Sequence, residues 1–218
     1  MALVEDIIGQ MPPVTRLVVA TSAVLAVLAT LDVVSALSLY LNWDLVIQER
    51  QWWRPISCFF FFGEFSVHFC WHIYVYLQYC SSLEQVSFRG RGADFVWMLI
   101  SSALLLLALT AALKLNSSFL SSALMDVMIY LWSKKNQNML VHVVFVTVHA
   151  AYLPWTLALL SLLLGGNIQD HLLGISVGHV YYFFTEIYPL MPTSRGVRIF
   201  STPRLLKIIM RQTQAADN

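Results

Sequence analysis

The chain has 218 residues, 58% of them hydrophobic and only 11% charged, with a mean hydropathy of +0.68. A soluble domain carries roughly 25% charged residues, so this composition reads as an integral membrane protein. The formal net charge of +1 excludes the concentrated basic surface that nucleic-acid binding requires. Cys58, Cys70 and Cys80 lack the paired spacing of a disulfide framework or zinc site, and no cofactor is expected.

Apolar stretches near the ~20 residues needed to cross the hydrocarbon core number about six. They run roughly from Leu17 to Leu39, Ser66 to Leu83, Phe95 to Leu113, Ser117 to Trp132, Met139 to Leu164 and Leu172 to Tyr188. The first reads as an uncleaved anchor, because Glu5, Asp6, Pro12 and Pro13 precede it and no small-residue cleavage site follows. The expected fold is an all-α polytopic membrane protein of six transmembrane helices over residues 1–192. A short basic tail, 193–218, is too small to bury a core of its own.

The Lys/Arg distribution gives the orientation. In a six-span arrangement Arg16, Arg89, Arg91, Lys134, Lys135, Arg195, Arg198, Arg204, Lys207 and Arg211 fall on one side, and only Arg50, Arg54 and Lys114 on the other. The positive-inside rule then places both termini in the cytosol. The first loop, about Tyr40 to Phe65, faces the opposite side. Its Trp43, Trp52, Trp53 and the Phe59 to Phe62 run suit a segment lying in the membrane interface.

Polar residues punctuate the second, fourth and sixth spans: His68, His72, Gln78, Ser121, Ser122, Asp126, His171 and Ser176. At membrane depth such groups line protein or water, not lipid. Asp126 costs about 2.5 kcal/mol or more if unpaired, so it is expected to face the bundle interior, with Ser122 one turn away as a local partner. His68 and His72 stand at i, i+4, a ligand-like spacing, but without acidic or cysteine partners beyond Glu64 they read as cavity lining, not a metal site. Gly174 and Gly178 stand four apart on one helical face, where a neighbouring helix can approach closely. Arg54 carries five donors for lipid phosphate, loop carbonyls or the indole of Trp53. The fourth and sixth spans are also short, a mismatch that the bilayer relieves partly by thinning. His142 and His149 on the fifth span and the sequon Asn116-Ser117-Ser118 carry little weight.

Trp53-Arg54 together with His171-x-x-Gly174-x-x-x-Gly178 resembles the skeleton of a rhomboid-type membrane fold. The finer pattern resembles the derlin family over nearly the whole chain. It comprises Pro13-Val14-Thr15-Arg16, Gln51-Trp52-Trp53-Arg54-Pro55, Ser82-Leu83-Glu84, Ala93-Asp94, Tyr152-Leu153-Pro154-Trp155, Gly174-x-x-x-Gly178-His179 and Ser201-Thr202-Pro203.

The resemblance implies a rhomboid-like pseudoprotease of the endoplasmic reticulum membrane that helps misfolded proteins leave for cytosolic degradation. Membrane lipids, client proteins and a membrane ubiquitin ligase complex are its implied partners, and homo- or hetero-oligomers stay open. The tail lacks the Gly-rich extension and short motif by which some members recruit the cytosolic AAA ATPase, which implies indirect recruitment. Its basic residues, Arg195 to Arg211, suit anionic headgroups at about 1 kcal/mol per charge. Counting from Trp132 and Gly174 places Ser121 and His171 where a rhomboid's nucleophile and base would lie. The glycines that flank such a serine are here Phe119 and Ser122. The expected role is therefore non-proteolytic, with Ser121 and His171 vestigial. An active intramembrane serine protease using that dyad, and a transporter depending on Asp126, remain as alternatives.

Overall fold

A computed structural model describes residues 11–115, 119–143, 146–163, 165–192, 200–208 and 210. The sequon and tail residues Arg195, Arg198 and Arg211 lie outside them.

Helix α1 spans Pro13–Thr30, with proline at its first turn, where the missing N–H costs no intrahelical bond. Three short helices follow in the first loop: α2 (Ala36–Leu39), α3 (Trp43–Gln48) and α4 (Arg54–Ser57). Asn42 caps α3, its Oδ1 accepting from the N–H of Asp44 at 2.9 Å. Helix α5 (Val67–Ser82) starts at an N-cap Ser66 that accepts from Phe69 N–H, and it continues through a π turn, Leu83–Ser87. Helices α6 (Gly92–Leu113) and α7 (Ser121–Lys135) come next. A hairpin of β1 (Leu140–Val143) and β2 (Val146–His149) leads into α8 (Leu153–Leu163). Helix α9 (Ile168–Tyr182), capped by Asn167, runs on through a π turn, Phe183–Ile187.

The hairpin overturns two expectations. Residues Met139–Leu164 are not one continuous span, and the fold is mainly helical but not all-α. Leu140 pairs with His149 and His142 with Thr147 in an antiparallel register. Strand β1 alternates in burial, and β-branched residues favour the extended backbone. His142 and His149 therefore sit on strands.

Among the described residues, α1 and α6 are long and apolar enough to cross a bilayer by length and composition. Leu17, Val24 and Val27 of α1 and Ile100 and Leu104 of α6 are exposed; α1 buries only the small Thr15, Ser22, Ala26 and Ala29, whereas α6 also buries Phe95, Met98 and Leu106. In α1, small residues inside and bulky ones outside is the arrangement of a helix packed in lipid, where close approach of backbones replaces the hydrophobic drive.

The centre belongs to α7. It is buried along nearly its whole length, from Ser121 to Ser133, and packs against α5, α6, α8 and, most extensively, α9. A helix buried all round is set by its neighbours on every side. Whatever side chains α7 carries are thus fixed in the middle of the protein.

Candidate functional site

Three groups of expected site residues take their positions from this arrangement. The first is the loop pair. Arg54 is 6% exposed, which turns its guanidinium away from lipid headgroups. Its Nη1 donates to the carbonyl oxygens of Leu37 and Tyr40, each at 2.9 Å, and its Nε donates to Gln51 Oε1 at 2.6 Å. The guanidinium lies over the Tyr40 ring, 4.9 Å from its centroid. The stacking partner is therefore Tyr40 and not the neighbouring indole. Trp53 instead remains 54% exposed, and its Nε1 makes a long 3.4 Å bond to the Ser38 carbonyl. Arg54 closes the loop, and Trp53 faces outward from it.

Three further contacts hold the loop, the first within it and the other two tying it to the bundle. Ser57 Oγ donates to Leu39 O at 3.1 Å, Leu120 N–H to Cys58 O at 3.1 Å, and Phe65 N–H to Thr30 Oγ1 at 2.9 Å. Backbone groups held this way keep an irregular segment satisfied next to a bilayer.

The second group lies where α7 crosses α9. Ser121 is buried, and its hydroxyl donates to the carbonyl oxygen of Phe61 at 2.7 Å. His171, also buried, brings Nδ1 to 2.7 Å from Oδ2 of Asp126. The two atoms stand at ion-pair distance. No hydrogen bond joins Ser121 to His171. Asp126 therefore finds its partner on another helix, not in Ser122 on its own. With one proton between them on either atom, the pair carries no net charge, which removes the main cost of a carboxylate at this depth.

Gly174 makes this crossing possible. A Cβ there would run into the Ala123 carbonyl oxygen and come within 2.7 Å of Asp126 Cβ. One turn on, a Cβ at Gly178 would meet Tyr130 Cβ at 3.0 Å. Beside it the Tyr130 hydroxyl is 2.7 Å from His179 Nδ1. Ser176, expected to line the cavity, is exposed on the outer face of α9. It falls between the two glycines on the helix, about 200° round from Gly174 at 100° per residue.

The third group forms a notch of about 310 Å³ beside the crossing, whose wall includes His68, His72, Ser121, Ser122 and Asp170, with Phe119 at its edge. Phe119 packs on Phe61, ring centroids 5.0 Å apart. The two aromatic rings thus stand at the serine that Phe61 also engages through its backbone. His72 Nδ1 donates to the His68 carbonyl oxygen at 2.9 Å, and the two imidazoles meet edge to face at 4.2 Å. One ring nitrogen of His72 is therefore occupied. Among the described residues no group of three or more His, Cys, Asp or Glu gathers to hold a metal ion. Asp126 is not among the residues lining the notch; it lies deeper, under Gly174.

Glu84 escaped the sequence reading as a site residue. It is buried, and its carboxylate accepts from Val14 N–H at 3.1 Å, Thr15 N–H at 2.9 Å and Thr15 Oγ1 at 2.7 Å. These are unpaired donors at the start of α1, where a negative charge also meets the positive end of the helix dipole. The signal available in sequence was an acidic residue closing one apolar run and a proline-led start to another. Nothing local connects positions 70 residues apart.

An apolar outer surface with polar groups paired across helix crossings defines a helical membrane protein. The model of the Der1-like family matches residues 11–204. Derlin-2.2 of Arabidopsis thaliana is 37% identical over 218 residues, covering 94% of this chain and 87% of its own length. Derlin-2 of Oryza sativa subsp. japonica is likewise 37% identical, covering 94% and 86%. A probable derlin-2 homolog of Dictyostelium discoideum is 36% identical over 214 residues, covering 94% and 82%. The chain belongs to the Der1-like family.

Proposed function

We propose that this protein is a non-proteolytic, rhomboid-like member of its family that assists retrotranslocation of misfolded proteins from the endoplasmic reticulum for cytosolic degradation. It is read as a six-span protein with both termini cytosolic and the Ser121 notch open to the lumen. The observation that carries the non-proteolytic reading is the hydroxyl of Ser121, which donates to Phe61 O while His171 is held by Asp126. A serine nucleophile needs a base within about 2.6 to 3.2 Å of its hydroxyl, and here both members of the dyad are engaged elsewhere.

The translocation reading draws on the notch and on helix length. The 15-residue helix α9, which exposes Leu172 and Val180, rises about 22 Å, short of the ~30 Å hydrocarbon core. Membrane thins beside short helices, and a polar notch in thinned membrane lowers the barrier to a polar polypeptide. Arg54, Gly174 and Gly178 keep the loop and the crossing in shape, and Trp53 faces outward from the loop. Clients would be handed on through a membrane ubiquitin ligase complex, with the AAA ATPase recruited indirectly.

The test pairs two assays. Purified wild-type protein in lipid is incubated with a membrane-embedded peptide, and client degradation is followed in cells depleted of the native protein. The expected result is no cleavage, unchanged degradation with Ser121→Ala, and slowed degradation with Arg54→Ala or Gly174→Val. Cleavage that disappears in Ser121→Ala establishes the serine protease instead.

A further inference from the structure

The opposite end of the bundle holds a second cavity, of about 310 Å³, to which the proposed translocation assigns no part. It lies on the face that the Lys/Arg count assigns to the cytosol, so its biological setting rests on that orientation. Its wall combines Arg91, Lys135 and Lys207 with Asp94, Glu186 and the ring of Phe88. These residues come from the α5–α6 turn, the start of α6, the end of α7, the π turn after α9, and the returning segment 200–208. The returning segment is seated by two contacts. Thr202 Oγ1 donates to Asp94 Oδ1 at 2.6 Å, and Phe200 packs on Tyr181 and Phe184, with centroids at 5.4 and 6.3 Å.

We propose that this cavity binds the phosphorylated inositol headgroup of an anionic phospholipid in the adjoining leaflet, with Lys207 closing over it from the tail. Three features favour that chemistry. Lys135 Nζ stands 4.5 Å from the Phe88 ring centroid and the Arg91 guanidinium 5.7 Å from it. The two cations are thus gathered around one aromatic ring, preorganised for a phosphate. Basic pockets between helices at the cytosolic membrane surface suit such headgroups.

Asp94 and Glu186 would repel a bare phosphate. A polyol uses them, because its hydroxyls donate to carboxylates while its phosphate meets the cations. The third feature is size: the volume equals roughly ten waters and stands at the small end of ligand pockets. That suits one ring and a phosphate, not a stretch of polypeptide.

The experiment uses the full chain in phosphatidylcholine nanodiscs, titrated with a fluorescent phosphatidylinositol monophosphate. Phosphatidylserine and soluble inositol phosphate serve as parallel competitors. Binding in this format does not depend on cellular orientation or on client transport, so it stands apart from the translocation test. The phosphoinositide is expected to bind at least tenfold more tightly than phosphatidylserine, and soluble inositol phosphate should compete with it. Lys135→Ala and Lys207→Ala should each weaken binding about fivefold, the effect of one surface charge near a headgroup. Lys207→Ala alters only the tail and leaves the bundle intact. Lys134→Ala, whose ammonium lies over Tyr130 and outside the cavity, should change little. Equal binding of the two lipids, no competition by the soluble headgroup, or an equal loss in Lys134→Ala would each overturn the proposal.

Discussion

His171 reaches Asp126 and not Ser121: Nδ1 lies 2.7 Å from Oδ2 across the crossing of α9 over α7. The residue that would serve as a protease base is here half of an interhelical polar pair. Removing one member of such a buried pair leaves the other uncompensated, at a cost of about 3 kcal/mol or more. Asp126→Ala and His171→Ala are each expected to lower thermal stability in detergent strongly, and the double variant less than their sum. Double-mutant-cycle coupling above about 1 kcal/mol checks the pair. Additive losses would show that the two residues act independently. Ser121→Ala should cost only about 1 kcal/mol, one hydrogen bond to a backbone carbonyl.

The glycines should separate by severity. At Gly174 an added Cβ meets a backbone carbonyl oxygen and the Asp126 side chain, whereas at Gly178 it meets only the Tyr130 side chain at 3.0 to 3.1 Å. A side chain can give way by a few tenths of an ångström, but a backbone carbonyl moves only with its helix. Gly174→Ala is therefore expected to cost about 2 to 3 kcal/mol, in the range of overpacked cores, and Gly178→Ala about half that. Folded yield and melting temperature of the two variants, compared side by side, decide the order.

How far the sequence carried depended on whether the interaction was local. The ends of α5 and α6 follow from the apolar runs Ser66 to Leu83 and Phe95 to Leu113, since Val67–Ser82 and Gly92–Leu113 differ from these by three residues at most. The fifth span was misread because mean hydropathy treats a valine in a strand and one in a helix alike. Only the density of Val and Thr from Val141 to Val148 marked the hairpin. Asp126 was given the partner one turn away because spacing along a helix is all that a single sequence offers. Its pairing with His171, 45 residues on, depends on how α7 and α9 cross. Arg54 could be named from residue type and position, but Leu37 and Tyr40 as its acceptors could not. They are set by the path of a loop whose backbone closes around the guanidinium. Ser176 failed for the same reason as Asp126, because the rotation of a helix about its axis is a tertiary property.

Arg54 should not tolerate lysine. Its Nη1 bridges two carbonyls while Nε holds Gln51, a forked geometry that a single ammonium does not reproduce. Arg54→Lys is expected to cost about 1.5 to 3 kcal/mol, the range for hydrogen bonds to charged groups, and to open the first loop to limited proteolysis. Trp53→Phe, at an exposed position with one long hydrogen bond, should leave loop protection close to wild type. Equal protection of both variants would remove the structural role assigned to the guanidinium.

Glu84 gives a prediction confined to the N-terminal helix. Its carboxylate takes three donors from Val14 and Thr15, so it acts as a cap supplied by another helix. Glu84→Gln keeps one acceptor oxygen but loses the charge at the positive end of α1, and Glu84→Ala loses both. The expected costs are about 1 kcal/mol for Gln and about 2 kcal/mol or more for Ala, which leaves buried donors without partners. The first turn of α1 should lose hydrogen-exchange protection in the same order while the α7–α9 crossing keeps its own. Loss spread evenly over both regions would mean that Glu84 supports the bundle as a whole and does not act on α1 in particular.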